Sequence, residues 1–150
     1  MVQSLLARKA SVNGHDSRRT SLVNETVVHC DRDALAAVLG EQSIDVNEKD
    51  HRGHTPLWWA AGMSGDEGEK VALLLEHGAV VNVECGDDAD TPLHQAAINN
   101  NQTIARLLLE KGADVEVRDK GGKTPVERAM QEGNDKIVEM LLEVRGSLPK

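Results

Sequence analysis

Residues 91–114, TPLHQAAINNNQTIARLLLEKGAD, hold two helical segments that are each too short to stand alone. Thr91 is placed to cap the first, and Pro92 follows in the first turn, where its missing N–H leaves no bond unmade. Leu93, Ala96 and Ala97 give that segment a narrow apolar stripe at i, i+3, i+4. Asn99, Asn100 and Asn101 break it, because Asn tolerates the left-handed conformation of a tight turn. Ile104, Leu107 and Leu108 form the stripe of the second helix, which Gly112 ends. Helices this short need tertiary partners, so the unit must stack on others of its kind.

Copies of it flank the stretch. Thr55-Pro56-Leu57 precedes Thr91-Pro92-Leu93 by 91 − 55 = 36 residues, and Thr124-Pro125-Val126 follows it by 124 − 91 = 33. Ala60-Ala61, Leu73-Leu74-Leu75 and Gly78-Ala79 repeat the rest of the pattern. On these residues the chain resembles the ankyrin-repeat family, whose period is about 33 residues. The resemblance implies an all-α solenoid of stacked helix-turn-helix units with β-turn loops projecting along one edge. It divides the chain as a single domain: 1–13 a partial repeat or cap, 14–49 a degenerate repeat, 50–85 and 86–118 two repeats, and 119–150 a C-terminal capping repeat.

The copies differ in ways that matter. In 14–49, Thr20-Ser21-Leu22 stands for Thr-Pro-Leu and Glu25-Thr26 for the Ala pair, but Ala34, Leu35, Val38 and Leu39 keep an apolar face. Trp58 holds the position that His94 fills in the next copy, and Glu127 holds it in the last. Ala89 stands where Gly53 and Gly122 occur in the neighbouring turns.

Composition narrows the function. A net charge of −8 argues against nucleic acid and anionic membrane surfaces as partners. Cys30 and Cys85 make no disulfide framework, which suits a reducing compartment and a cytoplasmic or nuclear location. No phosphate-cradling loop and no nucleophile–base pair is signalled, and His51, His54 and Cys85 lack the spacing of a zinc site. We therefore expect no catalytic residue, metal, cofactor or small-molecule substrate, and a monomer that binds another protein.

The resemblance places the candidate contacts. Turn tips would line up as Arg52 and His54 (with His51), then Asp87, Asp88 and Asp90, then Lys120 and Lys123: basic, acidic, basic along one edge. Trp58 and Trp59 are either contact anchors or packing between copies. His94 is implied to be structural, tying neighbouring repeats. Asn47 and Asn82, each following Val with a Leu eight residues earlier, match the position at which ankyrin proteins are hydroxylated. Two other functions remain open: an inhibitor docking on an enzyme such as a protein kinase, and a structural spacer within a longer ankyrin protein.

Overall fold

A computed structural model describes residues 22–42, 44–63 and 68–147. The half-repeat expected at 1–13 and the degenerate Thr20-Ser21 cap lie outside those residues. Eight helices run through the described chain: α1 (Leu22–His29), α2 (Arg32–Leu39), α3 (Pro56–Gly62), α4 (Glu69–Glu76), α5 (Pro92–Ile98), α6 (Gln102–Glu110), α7 (Pro125–Glu132) and α8 (Asp135–Ser147). They pair in sequence order, and the pairs stack so that α1, α3, α5 and α7 form an inner row and α2, α4, α6 and α8 an outer row. Among the described residues no strand forms. One isolated antiparallel bridge joins Cys85 to Asp90.

The inner helices α3, α5 and α7 each start on a threonine with extended backbone followed by proline. Thr55 Oγ1 accepts the N–H of Trp58, and Thr124 Oγ1 accepts that of Glu127, both at 3.3 Å. Glu127 returns the favour at 2.7 Å on the Thr124 N–H, completing a capping box. In the repeat before, the same return bond comes from histidine, with Thr91 N–H donating to His94 Nδ1 at 3.1 Å. Ala60, Ala61, Ala96 and Ala97 are fully buried, and their small side chains let successive inner helices approach closely.

In the outer row the buried stripe of α6 is Ile104, Ala105 and Leu108; Leu107, expected in the core, is only half-buried. Ala105 is fully buried in that stripe, as is its equivalent Val71, whereas Val138 in the last repeat is partly buried against the core. Gly112 ends α6 at φ +88°, and Asn100 takes the left-handed turn at φ +58°.

Neighbouring repeats are also joined by two asparagine ladders. Asn47 Nδ2 donates to Gly78 O (3.2 Å) while its Oδ1 accepts from Val80 N (2.8 Å). Asn82 does the same one repeat on, with Gly112 O (3.1 Å) and Asp114 N (2.8 Å). On the inner side, Asn101 donates to Ala61 O and Met63 O, and Asn134 to Ala97 O and Ile98 O. These carbonyls at the ends of α3 and α5 have no partner within their own helices.

Candidate functional site

The turns that precede the inner helices lie side by side, as the repeat register implies. Gly86 N donates to Gly53 O at 3.1 Å, and Lys120 N to Asp88 O at 2.7 Å. Arg52, Asp87, Asp88 and Lys120 are exposed, and His54 and Lys123 are half-buried. Asp90, expected at a tip, is buried at 7% exposure. The charge order basic, acidic, basic along the edge therefore rests on Arg52, Asp87-Asp88 and Lys120.

Asp90 is drawn inward by a rearrangement of its turn. In the second and fourth repeats the turn opens with an aspartate, Asp50 or Asp119, whose Oδ1 accepts N–H groups across the loop. In the third repeat the register puts Gly86 at that position, and the carboxylate comes from Asp90, four residues later. Each carboxylate then receives a donor from the same position of its own inner helix. Trp59 Nε1–H reaches Asp50 Oδ2 at 2.8 Å, Gln95 Nε2–H reaches Asp90 Oδ2 at 2.6 Å, and Arg128 Nε–H reaches Asp119 Oδ2 at 2.5 Å. Burial raises the Asp50 carboxyl, but the backbone N–H of His54, the Trp59 indole and the Arg52 N–H outweigh it and hold it below its usual range. Burial likewise opposes the bonds from Lys123 N–H and Arg128 that keep Asp119 low.

The position before it reaches forward to the next repeat. His94 is fully buried and bonds through Nε2 to Lys123 O at 2.9 Å, while Nδ1 accepts from Thr91. With Nδ1 accepting, Nε2 carries the proton, and burial pushes the imidazole below its ordinary value. Trp58 does the same work with different chemistry: its Nε1–H donates at 2.8 Å to Asp90 Oδ1 of the following turn. His54 stacks on Trp58 with centroids 3.9 Å apart, and Trp59 stands perpendicular to Trp58 at 5.1 Å. Both tryptophans are thus half-buried, with their N–H groups engaged and part of their rings facing outward.

What those rings face is a groove of about 270 Å³ on the inner-helix side, lined by Val28, Trp58, Trp59, Gly62, Met63, Gln95 and Asn99. Val28, Met63 and Asn99 belong to three helix pairs yet share one register position, since 63 − 28 = 35 and 99 − 63 = 36. Sequence reasoning missed this groove, although that periodicity was its signal. Cys85 is fully buried against Thr55, and burial raises its thiol above the usual range. Among the described residues no group of three His, Cys, Asp or Glu side chains is gathered to hold a metal. Nor is any described helix long and apolar enough to cross a membrane.

A three-copy ankyrin-repeat model matches residues 81–148, and a single-repeat model matches 52–86. This chain belongs to the ankyrin-repeat family. Ankyrin relatives include BRCA1-associated RING domain protein 1 of Caenorhabditis elegans, 43% identical over 59% of this chain and 12% of the relative. Diacylglycerol kinase iota of Rattus norvegicus is 36% identical over 59% of the chain and 9% of the kinase. E3 ubiquitin-protein ligase Ufd4 of Drosophila melanogaster is 34% identical over 89% of the chain and 5% of the ligase. The chain therefore matches a small segment of much longer proteins, two of them with the names of enzymes. The ankyrin repeat itself is a non-catalytic interaction module.

Proposed function

We propose that this ankyrin stack binds another protein along its concave side, with the Trp59 groove at the centre and the turn tips as its rim. The observation that supports this most is the groove itself: an apolar concavity on the inner-helix row, spanning three helix pairs, beside an edge of ordered charges. Interfaces concentrate their energy in aromatic centres surrounded by a polar rim. Arg52, Asp87-Asp88 and Lys120 would then govern orientation and rate of approach more than affinity.

Asn47 and Asn82 remain the proposed hydroxylation sites. Both side chains are bonded at each end to the next repeat, so an oxygenase has to open that rung before it reaches either one.

The binding face is tested by placing the photo-cross-linker p-benzoylphenylalanine at Met63 in the groove, and separately at Glu110 on outer helix α6. The Met63 position should yield a discrete adduct in lysate that excess unmodified chain competes away and Val28→Lys abolishes. Asp88→Lys should slow its formation, with an effect that fades in high salt. Competed adducts from Glu110 alone would place the partner on the convex side, and none from either position would leave the chain a spacer.

A further inference from the structure

We infer that the groove accepts a cationic head group on an apolar stem, the alkylammonium of a partner's lysine being the fitting case. This rests on the reading of the groove as a protein-binding face and adds what fills it. The decisive feature is that, among the described residues, each side-chain donor group lining the groove already bonds an acceptor within the chain. Trp58 Nε1–H is held by Asp90 and Trp59 Nε1–H by Asp50. A carboxylate accepts and does not donate, so Asp90 fixes the Gln95 amide with its nitrogen inward. The Gln95 oxygens, Oε1 and the backbone carbonyl, then take the Asn99 Nδ2 group at 3.3 and 2.9 Å. This relay from Asp90 through Gln95 leaves Asn99 presenting its Oδ1 carbonyl.

The remaining lining consists of indole rings, the Met63 thioether, Val28 methyls and that one acceptor. Among the described residues it offers no cationic side chain to a carboxylate or phosphate. Aromatic faces attract cations through their quadrupole, and Asn99 Oδ1 adds an acceptor for an N–H donor. Donation of both indole N–H groups to carboxylates polarises the rings toward greater electron density on their faces. Val28 and Met63 supply apolar walls for a methylene stem, as long charged side chains require. The net charge of −8 favours the approach of a basic segment from solution.

Choline, 3,3-dimethylbutan-1-ol and 3,3-dimethylbutanoate share a shape and differ in charge, which makes them the probes. Binding is read from fluorescence of the chain's only two tryptophans, undisturbed by any tyrosine, and from their indole N–H resonances. Choline should bind about threefold to tenfold more tightly than the neutral alcohol, with no binding of the anion. Because Trp59 variants lose a bond to Asp50 that holds the turn, the control is Val28→Lys, at a partly exposed site. It should abolish the choline response while circular dichroism is unchanged, whereas Glu110→Lys should leave it intact. An alcohol that binds as tightly as choline, or a choline response that survives Val28→Lys, overturns the inference. Competed cross-links from Met63 without a choline preference would remove the cation and keep the protein-binding face. A choline preference without cross-links would keep the cation site and remove that face.

Discussion

The junction between the second and third repeats and the junction between the third and fourth solve one problem in two ways. In both, an inner-helix side chain reaches forward to the next turn. At the later junction the neutral imidazole of His94 donates to the Lys123 backbone carbonyl. At the earlier one the Trp58 indole donates to the Asp90 carboxylate, which has replaced the usual turn aspartate. The bond joins the same two register positions, but one acceptor is a backbone carbonyl and the other a carboxylate. At the earlier junction both indoles also line an open groove.

The largest expected losses are the ones that should not distinguish the junctions. Leu74 and Leu108 hold equivalent, fully buried outer-helix positions. Each Leu→Ala change should cost about 2–5 kcal/mol through the cavity it leaves. Leu107→Ala, at a half-buried site, should cost clearly less. Urea denaturation decides this, and a Leu107 loss equal to that of Leu108 would contradict the buried stripe of α6.

The polar ties come next. His94→Ala leaves a cavity and an unpaired carbonyl and should cost about 3 kcal/mol. Trp58→Phe keeps an aromatic ring but removes the pyrrole half of the indole with its N–H, while Gln95 still holds Asp90, so about 1–2 kcal/mol is expected. Equal losses in the same denaturation series would overturn that order.

Acid separates the junctions further. His94 lies below its ordinary value of 6.5 in the folded chain, so the unfolded chain binds its proton first. Its contribution is complete above about pH 6.5 and declines as pH falls through that value toward the lowered folded one, by at most about 1.4 kcal/mol per pH unit. Asp50 and Asp119 are depressed too, so their contributions decline only as pH falls below about 3.8. Thermal melts between pH 7 and 5 should therefore lose stability in the native chain and lose less of it in His94→Gln.

The smallest expected effect is a gain. Ala89 sits at φ +52°, where its counterparts Gly53 and Gly122 sit at +82° and +76°. Ala89→Gly relieves the left-handed strain but frees the unfolded chain, for a net stabilisation of about 0.5–1 kcal/mol. Gly122→Ala should move the fourth repeat the opposite way, and a stabilising Gly122→Ala would show that the turns do not share a backbone.

The sequence by itself determined the helix pairs and their caps, because those depend on residues three to eight apart. Thr-Pro, the alanine pairs, Asn100 and Gly112 each settle a local conformation wherever they stand. The Asp31 cap of α2, whose Oδ1 accepts Ala34 N–H at 2.9 Å, is of the same kind. Tertiary structure alone decided where the polar groups between repeats point. Trp58 meets Asp90 across 32 residues, His94 meets Lys123 across 29, and Asn101 meets Ala61 across 40. Such partners become visible only once stacking has set the repeats side by side. Asp90 could be read as a tip charge from its neighbours Asp87 and Asp88. Its burial follows from Gly86, Trp58 and Gln95, which lie on different elements and converge only in the stack.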